Sequence, residues 1–136
     1  MNTSEMDLPL WPELAALYET QPDLSSCPLY YVHVDERETS VTLGFETPRL
    51  PDRPRAEWEE KRYNTVRFFV VFTGVDELRI TGIAAEPPDT RDRTVGVVVT
   101  DTGRQQVSVT SESRSITFSA ATSAVTWIRV YLQGSP

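Results

Sequence analysis

NTVRFFVVFTGVDELRITG, residues 64–82, carries the strongest apolar signal in the chain. Side chains alternate between the two sides of a strand, so one side of the first half is wholly apolar. That side comprises Val66, Phe68, Val70 and Phe72. Phe69 and Val71 make the opposite side apolar as well. Because a strand that is apolar on both sides is usually covered on both sides, the pattern predicts a central strand of the fold.

The second half of the stretch begins after a break at Thr73-Gly74. Val75, Leu78 and Ile80 follow, and the residues between them are polar. This pattern is typical of a strand with one solvated face, and it predicts a strand that returns beside the first.

Further short strands are expected on both sides of this stretch. The predicted segments are 29–35, 40–46, 94–101, 104–110, 115–119 and 124–132. An amphipathic helix is expected before them, because Leu10, Trp11, Leu14, Leu17 and Tyr18 recur at three- and four-residue spacing. We predict a mainly β (α+β) fold of about eight antiparallel strands with one N-terminal helix. A sandwich and a single curved sheet remain alternatives.

The 136 residues fit a single domain. Residues 1–8 are expected to be flexible, and residues 84–93 to form a loop. Residues 47–63 contain three prolines and no strand pattern, which predicts a long ordered loop. Trp58 is expected to anchor this loop to the sheet through its large ring.

Charge is distributed unevenly along the chain. The net charge is −7, from 20 acidic and 13 basic residues. Residues 1–46 contain nine acids and one base, so they contribute −8, while the remainder contributes +1. An acidic protein repels nucleic acid and attracts basic partners, although solubility alone explains such an excess equally well.

The side chains offer little for catalysis. His33 and Cys27 are the only histidine and the only cysteine, so a zinc site of the usual ligands cannot be assembled. His33 is predicted to be a structural imidazole within a strand, and Cys27 a packed thiol. We expect no enzyme, no metal and no cofactor. The acidic N-terminal sequence lacks the regions of a secretory signal, and no apolar run could span a membrane, so we expect a cytoplasmic protein.

Two sets of residues are candidates for binding a partner. Trp127, Arg129 and Tyr131 share one side of the last predicted strand and are residue types that dominate interface energetics. The other side, Thr126, Ile128, Val130 and Leu132, is expected to face the core. The alternative is that Trp127 packs under the helix or the proline-rich loop. The second set is acidic: Asp35, Glu36 and Glu38 in one turn, and Glu59 and Glu60 near Trp58.

The order of these features resembles a known family. The segments that carry the resemblance are WPELAALY, LYYVHVDERETSVTLGF, PRLPDRPRAEW and YNTVRFFVVFTGVDELRITG. Together they are similar to the immunity protein 50 family of bacterial polymorphic toxin systems, from Trp11 to Leu132. Trp58 and Asn64 match the pattern of that family. The last strands agree only as generic strands.

The resemblance implies a bacterial cytoplasmic protein that binds a toxin's effector domain and occludes it without chemistry of its own. The expected partner is a cognate toxin domain, and the acidic surplus favours a basic one such as a nuclease. Neither nucleic acid nor membrane is an expected partner, and the oligomeric state stays open. The alternatives are a small-ligand or carbohydrate-binding β-module that uses Trp127 and Tyr131, and a structural accessory domain.

Overall fold

The computed structural model describes residues 9–82, 94–111 and 114–134. The expectations for residues 1–8 and for the loop at 84–93 concern residues outside this part. The described chain resumes at Thr94, where a strand begins. The elements are α1 Pro12–Leu17, β1 Leu29–Asp35, β2 Ser40–Thr47, β3 Thr65–Thr73, β4 Asp76–Thr81, β5 Thr94–Val99, β6 Gln105–Thr110, β7 Ser115–Ala120 and β8 Thr122–Tyr131. Single 3-10 turns lie at Leu24–Ser26 and Ala56–Trp58.

The eight strands form two four-stranded antiparallel sheets. Sheet 1 has the order β1-β2-β3-β8, and sheet 2 has the order β4-β7-β6-β5. Buried side chains of both sheets form one core, in which Phe72 of sheet 1 meets Phe118 of sheet 2 edge to face at 5.5 Å. The predicted mainly β fold is therefore confirmed, and the arrangement is a sandwich rather than a single curved sheet.

β3 is central in sheet 1, but only one of its faces is covered by sheet 2. Phe68 and Phe72 are fully buried in the core, whereas Phe69 and Val71 are half-buried on the outer face. The prediction of a strand covered on both sides is wrong on this point. Within the described part of the chain, neighbouring aromatic side chains rather than a third layer shield the outer face.

β4 does not return beside β3. It crosses to sheet 2 and pairs with β7. Gly74 adopts a left-handed conformation with φ of 64°, and a Cβ there would lie 2.7 Å from that of Ala121. This close approach, which only glycine permits, carries the chain from one sheet to the other. The alternation predicts that Ile80 lies on the covered face of its strand, but its exposed fraction is 41%.

α1 has only six residues and is fixed to the proline-rich loop. Leu14 and Leu17 are buried as predicted, but Leu10 is 77% exposed because the helix begins after it, at Pro12. The Arg53 guanidinium donates hydrogen bonds to the carbonyls of three residues at the helix end: Ala15, Ala16 and Tyr18. A cation at this end also complements the helix dipole. In the described residues no helix has the length and apolar character needed to cross a membrane.

The pattern of β8 is shifted by a β-bulge. Phe69 pairs with Trp127, whereas its neighbour Val70 pairs with Val125, so Thr126 is an extra residue. Val125 and Ile128 are consequently buried, while Thr126 is exposed. Leu132, which follows the strand, is 48% exposed. The predicted core side of this strand is thus wrong at Thr126, since strict alternation does not continue through a bulge, and at Leu132, which lies beyond the end of the strand.

Candidate partner-binding surface

A second bulge, in β1, places two tyrosines on the outer face of sheet 1. Leu29 pairs with Phe45 and Tyr31 pairs with Gly44, so Tyr30 is the extra residue. The rings of Tyr30 and Tyr31 both lie near that of Phe69, at centroid distances of 6.3 and 5.2 Å. A bulge removes the alternation locally, which is why consecutive side chains can share a face.

Three aromatic rings stack across sheet 1 at one level. Tyr31 of β1 stacks on Phe69 of β3, and Phe69 stacks on Trp127 of β8 at 4.6 Å. Gly44 of β2 lies under the first pair, and a Cβ there would come within 2.9 Å of both side chains. The absent side chain of Gly44 therefore lets two rings from non-adjacent strands meet above it.

A second row of polar and aromatic groups adjoins this stack. The Arg67 guanidinium lies over the rings of Tyr30 and Tyr131, at 4.7 and 4.5 Å. Its Nε also donates to Glu46 at 2.9 Å, and Gln133 donates to the same carboxylate. Burial raises the pKa of Tyr30 above its ordinary value, and Arg67 opposes that rise. The charge of Arg67 is thus neutralised within the surface, while its position is fixed by two rings.

Arg129 completes this surface. Its guanidinium lies over the Trp127 ring at 5.4 Å, and the residue is exposed. We call the set the aromatic face. It comprises Tyr30, Tyr31, Phe69, Trp127 and Tyr131, together with Arg67 and Arg129. Its aromatic side chains are neither buried nor fully solvated, and Tyr31 is 40% exposed.

The outer face of sheet 2 has a different composition. On β5, β6 and β7 its outward positions alternate with buried, mostly apolar residues and are mainly small and polar: Thr94, Gly96, Val98, Gln106, Ser108, Thr110 and Thr117. Such a composition is usual for the solvated face of an antiparallel sheet. The aromatic face departs from it, and half-exposed aromatic residues with arginine are typical of protein interfaces.

Trp127, Arg129 and Tyr131 come together on one side of β8, as their spacing predicts. The alternative in which Trp127 packs under the helix or the proline-rich loop is wrong, because its ring lies on Phe69 in the open face of sheet 1. The buried tryptophans are Trp11, whose indole N–H donates to Ser123, and Trp58 in the loop. Whether the β8 residues bind a partner stays a prediction.

The acidic turn lies between β1 and β2, at one end of sheet 1. Glu36 and Glu38 are exposed. Asp35 is engaged in the turn, since its carboxylate accepts the backbone N–H groups of Arg37 and Glu38 at 3.1 and 3.2 Å. Asp35 lies four positions beyond Tyr31, so the turn lies about 13 Å along the strand from the stacked rings. The structure therefore places the turn beside the aromatic face and not within it.

Glu59 and Glu60 are exposed and follow the turn Ala56–Trp58. Near them, a shallow groove of about 260 Å³ runs between this segment and the outer edge of β8. Its lining residues are Glu57, Trp58, Lys61, Ile128, Arg129, Val130 and Tyr131. The second acidic cluster thus adjoins the β8 end of the aromatic face, with Lys61 offsetting part of its charge.

The two residues considered for chemistry differ in exposure. His33 is exposed on the aromatic side of β1, where its ring stacks beside that of Tyr31 at 6.3 Å, so its structural role stays a prediction. Cys27 is buried as predicted, and burial raises the pKa of its thiol to about 11. A thiol with such a pKa is a poor nucleophile near neutral pH. In the described ranges, no three His, Cys, Asp or Glu side chains are arranged to hold a metal ion.

Sequence reasoning missed Tyr30, Tyr31, Phe69 and Arg67 as parts of this surface. The adjacent tyrosines within a strand pattern are a signal for a bulge, since one of them must break the alternation. The second apolar side of β3 was the other signal. An apolar pattern predicts a buried side in either case, because a buried ring and a half-exposed ring look alike in a sequence.

Comparison with known proteins identifies a family. No curated protein and no solved structure gives a significant match to the chain. A family model described as Immunity protein 50 matches residues 12–131, which include every strand of the sandwich. This match confirms the resemblance seen in the sequence. The chain belongs to the Immunity protein 50 family.

Proposed function

We propose that this protein neutralises a cognate polymorphic-toxin effector domain by binding it and covering it, without catalysing a reaction. Membership of the family supports a toxin-immunity role in general. The observation that carries the finer proposal is an outer sheet face rich in half-exposed aromatic residues and arginine, within a chain of this family. Occlusion needs a tight interface, and these residue types supply most of the binding energy in such interfaces.

The proposal includes a location and a kind of partner. A protein that protects its own cell acts where the toxin domain would act, and we place it in the bacterial cytoplasm. The net charge of −7 would speed the encounter with a basic toxin domain, such as a nuclease. A small-ligand or carbohydrate module is less well supported. Tyr31, Phe69 and Trp127 stack against one another, so much of the ring surface that a sugar would need is already covered.

The test is protection of cells. The effector domain of the toxin encoded beside this gene is expressed from an inducible promoter, with and without this protein. We expect growth only when both are present, and we expect the purified pair to elute as one complex. Continued killing in cells that contain the folded protein would refute the proposal. So would protection by a chain that turns over a substrate and forms no complex with the toxin.

A further inference from the structure

We infer that the aromatic face is the surface that contacts the toxin, and that the toxin domain places a carboxylate on Arg129. This inference rests on the proposed function and adds to it the location of the interface and the chemistry of the partner's central contact. The alternative location is the acidic turn, which the sequence favours on charge alone.

The aromatic face is organised before any partner arrives. Phe69 is held between Tyr31 and Trp127, and Arg67 is held between Tyr30 and Tyr131. Ordering flexible side chains upon binding costs free energy, so a surface whose rings are already stacked loses little entropy in a complex. The acidic turn lacks this advantage, because the exposed Glu36 and Glu38 side chains would have to be ordered.

The dimensions of the face suit a folded protein. The whole outer face of sheet 1, of which the aromatic face is part, has four strands at about 4.8 Å and the nine residues of β3 at about 3.4 Å, which give a flat area of about 590 Å². A standard interface buries about 800 Å² of accessible surface on each partner. Because side chains make the accessible area larger than its flat projection, the face supplies most of an interface of that size. The adjoining groove and acidic turn would supply the remainder.

The charges on the face define what the partner presents. Arg67 is neutralised by Glu46 at 2.9 Å. Arg129, by contrast, makes no ion pair with any of the residues in the described ranges, and its guanidinium lies over the Trp127 ring at 5.4 Å. Burying a guanidinium that has no ion-pair partner costs desolvation free energy, whereas a carboxylate can bind the guanidinium through two hydrogen bonds. We therefore expect a partner that covers Trp127 to bring an acidic group to Arg129.

A second copy of the chain fits this surface less well. In a two-fold dimer only residues near the axis meet their own symmetry mates, and an axis near Arg129 would bring two guanidinium groups together. The charge pattern is complementary instead to a protein with an acidic group at its centre and basic groups towards Glu36 and Glu38.

The experiment compares two charge reversals of the same type. Arg129→Glu changes the aromatic face, and Arg79→Glu changes an exposed arginine on β4 of sheet 2. Each is tested by calorimetry against the effector domain of the neighbouring toxin, inactivated at its own active site. We expect Arg129→Glu to raise Kd by about 30-fold or more, as at a hot spot, and Arg79→Glu by less than about threefold. Trp127→Ala should raise Kd by a factor similar to that of Arg129→Glu.

The outcomes separate this inference from the proposed function. If the wild-type chain does not bind the toxin domain, both are refuted. If it binds and Arg129→Glu binds equally well, only the inference is refuted. Both arginines are exposed, and thermal melts will verify that the variants are folded. Replacement of one acidic residue of the toxin by arginine should restore binding to Arg129→Glu, which loss of folding could not explain. A wild-type dimer that Arg129→Glu dissociates would identify a second copy as the occupant and overturn the inference.

Discussion

The Phe69 ring and the Trp127 indole stack with their centroids 4.6 Å apart and their planes 26° from parallel. The two residues pair across β3 and β8, directly before the bulge that shifts the register of β8. Each ring is half-buried although none of the residues described in the structure forms a third layer over this side of sheet 1. The stack thus stabilises a face that also remains available to a partner.

Phe69→Ala should remove the support of both neighbouring rings. Replacing a fully buried phenylalanine costs 3–5 kcal/mol in general, so for this half-buried ring we expect the free energy of unfolding to fall by about 2 kcal/mol. Urea denaturation measures the loss, and tryptophan fluorescence should shift to the red as Trp127 becomes hydrated. Val71→Ala, two residues further on the same face, is the control. An equal loss in both variants would mean that the stack has no special role.

Gly44→Ala should disturb the stack without removing any aromatic group. A Cβ at this position would lie 2.8 Å from the Cβ of Tyr31 and 2.9 Å from Cε1 of Phe69, so these side chains must move. Overpacking of this kind costs about 1–3 kcal/mol of stability. Gly96→Ala is a matched control on the outer face of sheet 2, where the nearest atom is Ser108 Oγ at 3.2 Å. Equal thermal stability of both variants would contradict the proposed close packing.

Arg53→Ala should loosen α1. The guanidinium donates to three carbonyls at the helix end, and hydrogen bonds that involve a charged group contribute about 1.5–3 kcal/mol each when well formed. Because Arg53 is exposed, we expect a total loss of only about 1–2 kcal/mol. Hydrogen exchange across residues 11–18 should accelerate. Arg55→Ala, which removes a contact with the Trp58 ring instead, should leave that exchange unchanged.

The acidic turn offers a kinetic prediction. Glu36→Lys combined with Glu38→Lys should slow association with a basic toxin domain and weaken its dependence on salt. Asp35 is left intact because its carboxylate holds the turn together. A control with the same net charge combines Glu13→Lys and Asp101→Lys, two exposed residues outside sheet 1. Stopped-flow rates that match in both variants would show that only total charge matters.

Cys27 predicts a loss of stability at alkaline pH. Burial raises the pKa of its thiol from 9.0 to about 11, so the folded chain retains a proton that the unfolded chain releases. The contribution of this thiol to the free energy of unfolding is fully present below pH 9. It is lost as the pH rises towards 11, and the loss is about 3 kcal/mol at most. Tyr18 adds to the fall at higher pH, because burial raises its pKa as well.

Denaturant titrations between pH 8 and pH 11 measure this effect. Cys27→Ala should be less stable than the wild type at pH 8, because the substitution leaves a cavity. Its stability should nevertheless decline less with pH, because the thiol no longer ionises. Parallel declines in the two proteins would contradict a raised thiol pKa in the folded state.

The sequence predicted most of the fold and only part of the candidate surface. Strand positions such as Leu29–Asp35 followed from apolar alternation, and Trp127, Arg129 and Tyr131 followed from a single strand. Alternation within one strand could not predict the contact between Tyr31, Phe69 and Trp127, since these residues belong to three strands distant in the chain. Contacts across strands depend on register, and a bulge shifts the register by one residue.

By itself, the sequence determined the number of strands, the buried side of β3 and the family, because these depend on local periodicity and residue order. The tertiary structure alone decided that sheet 2 leaves the second side of β3 uncovered, and which residues meet on that side. Two bulges, one glycine and the crossing of β4 to sheet 2 brought Tyr30, Phe69 and Trp127 onto one uncovered face. The physical reason is that strand pairing and layer coverage depend on residues far apart in the chain, which alternation within one segment does not record.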